Sequence, residues 1–339
     1  MAPAVRSAAT LDRHRAVRRE PYPPLRLRAI PDAHRLVPPD CEQVIVDCGD
    51  RRVTLTHLRK PFWPALGITK GDLLRYYVEV AAVLLPHLHD RPMVMRRYPE
   101  GSGGPSFFMK RMPAPRPPWV ATCAIEHVSG RVIELPMVQD LPSLLWIVNL
   151  GCIDLNQWYA PADDVDRPDC LHFDLDPGPA SSFVQVLESA LAVREALAGL
   201  GIPSHAKTSG ARGLHVYVPL ARGPLQLEVW RCARVLARAL AARHPDLMTI
   251  EYGRARRPPD RVLVDYNQNA WGRTLASVYS VRPTPWAGVS TPVTWREVSR
   301  GIRPDAFRLD TVPARVRRRG DLWAPLLARR GRVRLERFA

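Results

Sequence analysis

Lysine is almost missing from this chain. Of its 49 basic residues only Lys60, Lys70, Lys110 and Lys207 are lysines, and the rest are arginines. A lysine kept against that bias can serve as a compact, flexible point charge, for example opposite a phosphate. The six cysteines (Cys41, Cys48, Cys123, Cys152, Cys170, Cys232) are scattered with no C-x-x-C pair. That spacing supports neither a zinc site nor a disulfide framework, and it suits reduced, mostly buried thiols in a cytosolic protein. No run of some 18 apolar residues is present, so no transmembrane helix is expected. The Arg-rich N-terminus lacks the apolar centre of a signal peptide. Acidic residues are outnumbered, 33 against 49, which leaves a net charge of +16 and a pI near 10.3. A polyanion is therefore the expected partner, nucleic acid or an acidic membrane surface.

What the chain does hold is enough apolar material, 46% of 339 residues, for a proper core. The most informative stretch is Leu171-His172-Phe173-Asp174-Leu175-Asp176-Pro177-Gly178. With period two, Leu171, Phe173 and Leu175 face a core, and His172, Asp174 and Asp176 face away from it. Pro177-Gly178 ends the strand in a turn. Two carboxylates at i and i+2 stand roughly 6–7 Å apart. They repel when buried unless a cation lies between them, and Mg²⁺ and Mn²⁺ take such oxygen ligands. The bland alternative is a solvated strand end.

Along the rest of the chain, residues 1–42 are Pro- and Arg-rich without periodicity and read as a mostly disordered basic arm. Segments 43–48 and 52–57 alternate around Gly49-Asp50, a hairpin signal. Thr69 is an N-cap for a helix over 70–85, and Lys70 then sits where N–H groups and the helix dipole favour an anion. Phe107-Phe108-Met109-Lys110 interleaves aromatics with basic residues, like Arg96-Arg97-Tyr98 before it, a pattern that stacks on single-stranded nucleic acid. One of the two phenylalanines is expected in the core. A strand over 132–136 and a helix over 141–149 follow. Beyond 171 the order is a helix over 182–199, a hairpin of 204–208 and 214–219 around Ser209-Gly210-Ala211-Arg212-Gly213, a helix over 227–243, and strands 248–252 and 262–266. Asp265 ends the last strand. The expected class is α+β: a mixed sheet bearing three acidic residues, with flanking helices.

Three acids from two strands can hold two metal ions about 3.5–4 Å apart for phosphoryl or nucleotidyl transfer. The Ser209–Gly213 turn offers backbone N–H groups to phosphate oxygens. Arg212 and His215 add charge and a donor, with Arg282 downstream. An Asp-x-Asp-x-Thr phosphohydrolase is disfavoured because Gly178 stands where its Thr should be.

The strings F-D-L-D-P-G (173–178), T-S-G-A-R-G-L-H-V-Y (208–217), V-D-Y-N-Q-N-A-W-G-R-T (264–274), Y-S-V-R (279–282) and V-S-T-P-V-T-W (289–295) occur in one order. Upstream come V-T-L-T (53–56), Lys60 and Lys70 ten apart, R-R-Y-P-E-G (96–101), F-F-M-K (107–110) and N-L-G-C-I-D-L-N-Q-W (149–158). Over residues 50–312 this resembles the polymerase domain of bacterial DNA ligase D, of the archaeo-eukaryotic primase superfamily. The resemblance implies a primase-polymerase-type catalytic core over 161–312 and an N-terminal α/β module over 43–160 that binds DNA ends. It leaves 313–339 as a basic C-terminal tail. It implies a nucleotidyltransferase of bacterial non-homologous end joining or gap repair, using two Mn²⁺ or Mg²⁺ ions. Asp174, Asp176 and Asp265 match the metal ligands. Ser209, Gly210, Arg212, His215, Gln268 and Arg282 match the residues that meet the NTP or dNTP. Lys60 and Lys70 match the pair that grips a 5′-phosphate; Arg97, Phe107, Phe108 and Lys110 fall on the DNA-facing segments. The implied partners are DNA with gaps or broken ends, Ku and a separate ligase, in the cytoplasm at the nucleoid and without a membrane. Two departures stand out: Asn156 replaces a His common in the family, and Arg212 replaces a common Lys. With no ligase or nuclease module in the sequence, a stand-alone polymerase is expected. A replicative or plasmid-type primase and a non-catalytic end-binding scaffold are the alternatives.

Overall fold

The computed structural model describes residues 32–126 and 130–337. Most of the basic arm, residues 1–31, lies outside the described residues. Its last part does not behave as an arm. Asp32 caps a short helix, α1 (Ala33–Leu36), by accepting the N–H of His34 at 2.9 Å. Val37 is fully buried, and its carbonyl accepts from Arg75 Nη1 at 3.0 Å. An apolar residue with a pocket to fill outweighs the disorder that the surrounding Pro and Arg suggest.

The hairpin appears as β1 (Val44–Asp47) and β2 (Arg52–Leu55). A second, bulged pair, β3 (Pro61–Trp63) with β4 (Ile68–Thr69), leads into α2 (Lys70–Leu88). Next come β5 (Met93–Arg97), β6 (Phe107–Met109), the hairpin β7 (Thr122–Glu126) with β8 (Val132–Pro136), α3 (Leu141–Asn149) and β9 (Cys152–Gln157). The second half holds β10 (Cys170–Pro177), α4 (Phe183–Gly199), β11 (His205–Thr208), β12 (Leu214–Pro219), α5 (Gln226–Arg243), β13 (Met248–Thr249), β14 (Val262–Asp265), β15 (Leu275–Ala276), β16 (Pro292–Val293), α6 (Trp295–Arg300) and α7 (Val312–Arg319).

Two sheets position the site. The larger has the order β13-β14-β10-β12-β11-β16 and is mixed, with β13 parallel to β14 and the other neighbours antiparallel. Helices α4 and α5 cover the face of β10 that carries Leu171, Phe173 and Leu175. The smaller sheet, β15-β9-β5-β6, closes over part of the opposite, acidic face.

The expected boundary at 160/161 does not separate two cores. Strand β15, from the second half, pairs with β9 of the first, Ala276 opposite Asn156. Tyr77 of α2 donates its hydroxyl to Ile153 O at 3.0 Å and accepts the N–H of Val281 at 3.1 Å. One buried apolar cluster contains Tyr77, Leu155, Phe173, Val216 and Val281 together. Nor is 313–339 a free tail. Trp323 is buried, its ring 5.2 Å from Tyr217. Asp321 accepts from Tyr279 at 2.9 Å and pairs with His87 at 2.8 Å. Val333 bridges to Leu220. Its arginines suggest solvation, but Trp323, Leu326 and Val333 have apolar surface to bury. Among the described residues no helix is long and apolar enough to cross a membrane.

Candidate active site

Register across the larger sheet builds the site. Asp174 on β10 lies directly opposite Asp265 on β14 and His215 on β12, and His215 lies opposite Lys207 on β11. Directly opposed residues share a face and bring their side chains together. The result is a row of four ionisable groups across four strands: Asp265, Asp174, His215, Lys207. Asp176, two residues on, stands at the solvent end of β10.

The row is wired by short contacts. Lys207 Nζ lies 2.8 Å from His215 Nδ1, and His215 Nε2 lies 3.3 Å from Asp174 Oδ1. Asp265 is held by its surroundings: Oδ1 accepts from Tyr252 OH at 2.7 Å and from Asn267 N at 2.9 Å, and Oδ2 accepts from Gln268 Nε2 at 2.9 Å. Gln268 therefore orients an acid in this structure. Asp176 faces Arg257, whose Nη1 is 3.5 Å from Oδ2.

Burial pushes the Asp174 carboxyl up to about 6, although Lys207, Arg282 and Arg257 all favour its charged form. Asp265 and Asp176 are raised as well, by burial first and then by the charge of Asp174. Burial depresses His215, and Lys207 and Arg282 lower it further. Neighbouring carboxylates that resist ionisation together are what a divalent cation relieves, and an all-oxygen donor set suits Mg²⁺ or Mn²⁺. The chemistry of the three acids fits such ions. Their positions are not gathered ready-made: among the described residues no group of three or more His, Cys, Asp or Glu is drawn close enough to hold a metal, and Asp176 is engaged by Arg257.

Next to the acids lies the Ser209–Gly213 turn. Ser209 Oγ accepts the N–H groups of Ala211 at 3.1 Å and Gly213 at 3.0 Å. Two of the donors expected for a phosphate are thus turned onto the serine itself. Gly210 is required here, with φ +76° and a Cβ position only 2.7 Å from Ser290 N. Arg212 Nη2 donates to Gly178 O at 3.1 Å and ties this turn to the end of the acidic strand. Arg282 Nη1 donates to Ser209 O at 2.9 Å, and its Nε pairs with Asp154 Oδ1 at 2.8 Å.

Asp154 on β9 escaped the sequence reading. It is 1% exposed, and Arg96 Nη1 also approaches it, at 3.6 Å. The available signal was a lone acid between Ile153 and Leu155 in β9. Lys207 was noticed as a rare lysine, but its partners were not. Asn156 donates to Asp154 O at 3.3 Å and is nearly buried.

Four of the residues expected to meet DNA, Arg97, Phe107, Phe108 and Lys110, lie on or beside β5 and β6. Phe107 and Phe108 on the edge strand β6 are 45% and 59% exposed, so neither is in the core. A three-residue strand at a sheet edge leaves both of its faces open. Arg97 lies over the Phe107 ring at 5.5 Å and Arg96 over Phe108 at 5.3 Å. Lys110 is exposed beside them. Lys60 pairs with Glu100 at 2.9 Å. Lys70 is nearly buried, donates to Thr56 O at 2.7 Å, and is depressed to about 8 by burial and by the charge of Lys60.

The first-turn N–H groups of α2 are not open to an anion. Lys70 N donates to Lys60 O, Gly71 N to Leu58 O and Asp72 N to Thr69 Oγ1. Thr69 and Asp72 form a reciprocal capping box.

Comparison with known proteins gives the family. The family model described as LigD, primase-polymerase domain, matches residues 69–323. The multifunctional non-homologous end joining DNA repair protein LigD of Mycobacterium tuberculosis H37Rv is 34% identical over 283 residues, covering 81% of this chain and 37% of that protein. The bifunctional LigD of Bacillus subtilis 168 is 30% identical over 275 residues, covering 79% of this chain and 43% of that one. The chain thus spans less than half the length of these relatives. The solved polymerase domain of M. tuberculosis ligase D in complex with DNA superposes with a TM-score of 0.75 at 33% identity, over 81% of this chain and 98% of that domain. With the family model covering three quarters of the sequence and the fold matching over 81% of it, the chain belongs to the LigD primase-polymerase domain family.

Proposed function

We propose that this chain is a template-directed nucleotidyltransferase that fills gaps and extends broken DNA ends in bacterial end joining. The carrying observation is the row Asp265–Asp174–His215 on three adjacent strands, with the Ser209–Gly213 turn and Arg282 beside it. Asp174 and Asp176 would hold two divalent ions, Mn²⁺ or Mg²⁺, and Asp265 would complete one of them. Once bound, such ions supply charge neutralisation and a more acidic 3′-hydroxyl. Asp176 would exchange Arg257 for an ion. His215, Arg212 and Arg282 would meet the triphosphate of an NTP or dNTP, with Ser209 and Gly210 keeping the turn tight against it. Gln268 would keep Asp265 aligned.

Lys60 and Lys70 would receive the 5′-phosphate across a gap. Phe107 and Phe108, backed by Arg96 and Arg97, would stack on exposed bases, and Lys110 would add a phosphate contact. Ku and a separate ligase are the protein partners of this reading, and the cytoplasm is its setting.

The test is primer extension on gapped, 5′-phosphorylated DNA with Mn²⁺ or Mg²⁺ and either nucleotide sugar. Extension that copies the template is expected. Protein that binds this DNA but adds no nucleotide under any of these conditions overturns catalysis and leaves a scaffold.

A further inference from the structure

The buried lysine behind the acids has no part in the reading above. Lys207 is 1% exposed, in the middle of the sheet. Its Nζ meets two acceptors, Ser290 Oγ at 2.6 Å and Ala276 O at 3.0 Å, and lies 2.8 Å from His215 Nδ1. The Tyr217 ring lies 5.7 Å away on another side. Three hydrogen-bonding partners around one nitrogen suit the tetrahedral head of lysine, whereas the planar fork of arginine could not serve them from one point. That gives a physical reason for lysine at this position in an arginine-rich chain.

Two of the three directions are fixed. Ala276 O can only accept. Ser290 Oγ gives its own proton to Thr208 O at 2.9 Å, so it accepts from Nζ. The third direction points at His215 Nδ1. If Nζ donates there, the proton of a neutral His215 sits on Nε2. If the proton has moved across, His215 is an imidazolium and Nε2 again carries one. The remaining arrangement, a neutral amine facing Nδ1–H, would leave a bare Nε2 lone pair 3.3 Å from an Asp174 carboxylate oxygen, with no hydrogen between them.

We infer that Lys207 is the positioning residue of the nucleotide site: through Nδ1 it keeps a proton on His215 Nε2, aimed at Asp174 and the cleft. His215 is then a permanent donor, able to serve Asp174 or a phosphate oxygen but never to act as a bare acceptor. The inference rests on the proposed nucleotide role of His215, and its test can be read without catalysis.

The experiment is ¹⁵N NMR of the full chain labelled at histidine nitrogens, with the His215 signals assigned through His215→Gln. The wild type is expected to show a protonated Nε2. Lys207→Met removes the Nδ1 partner and should lower the Nε2-protonated fraction, with Asp174 left as the one remaining bias toward that tautomer. In extension assays it should raise the nucleotide KM at least tenfold, with a smaller change in kcat, and Lys207→Arg should not restore either property. A bare Nε2 in the wild type overturns the inference, and so does an unchanged His215 spectrum in Lys207→Met. If Lys207→Met does not fold, Lys207→Ala, which also removes the donor, takes its place under the same criteria. A wild type that extends no primer yet shows protonated Nε2, lost in the variant, sinks the polymerase reading and leaves the positioning role standing.

Discussion

Asp174 should be a liability to the metal-free fold. Its carboxyl is pushed up to about 6 in the folded protein, against roughly 3.9 in an unfolded chain. Between those values the folded state holds a proton that the unfolded state has released. Stability therefore falls as pH rises through this window and stays low above it. At about 1.4 kcal/mol per unit, the cost at neutral pH is at most ~3 kcal/mol. Asp174→Asn removes the charge, keeps the shape, and can still accept from His215 Nε2–H. For a chain of this length, ~3 kcal/mol corresponds to roughly 4 °C in Tm. Thermal melts with EDTA at pH 7.5 should place Asp174→Asn above the wild type by up to that margin, and the gap should narrow towards pH 5. Adding Mn²⁺ should raise the wild-type Tm more than that of the variant, because an ion that binds the folded state stabilises it by mass action. A metal-free variant that melts at or below the wild type at pH 7.5 would refute the claim that burial makes the ionised Asp174 carboxyl costly.

The other expectations concern activity and DNA. Asp176→Ala and Asp265→Ala should each abolish primer extension while leaving affinity for gapped DNA, measured by fluorescence anisotropy, nearly intact, because that affinity comes mainly from phosphate contacts elsewhere. His215→Ala and Arg212→Ala should raise the nucleotide KM in steady-state extension, and wild-type kinetics in both would reduce the Ser209–Gly213 segment to an ordinary turn. The wild type should prefer a 5′-phosphate over a 5′-hydroxyl at the gap, and Lys60→Ala with Lys70→Ala should erase that preference. Each lysine is worth ~1.5–3 kcal/mol before screening, or about ten- to a hundredfold in affinity. Because Lys70 titrates near 8, the preference should weaken as pH rises above that value and its ammonium is lost, and a preference unchanged up to pH 9.5 would exclude Lys70. Phe107→Ala with Phe108→Ala should weaken binding to single-stranded overhangs by ~1–3 kcal/mol per stacked base, with a smaller effect on fully paired duplex.

Much of this protein was written locally. Period two in 171–176 set which residues of β10 face the helices and which face the acidic side of the sheet. The cap signal of Thr69 marked the start of α2, and 132–136 and 141–149 were delimited to the residue. These features depend on neighbours within a few positions, so the sequence by itself determined them. What only the tertiary structure decided depends on pairing between distant segments. Strand register set Lys207 behind His215 and Asp265 beside Asp174; a slip of one residue would have turned each of these side chains to the other face. The fold also joined β15 to β9, which carried Ala276 O to Lys207 and brought Arg282 to Asp154. It buried Val37 and Trp323, which composition had assigned to basic flanks, because apolar burial is settled by whichever surface is available, however far away in sequence. And it spent the first N–H groups of α2 on Leu58, Lys60 and Thr69, since a backbone donor pairs with the nearest acceptor that folding brings to it.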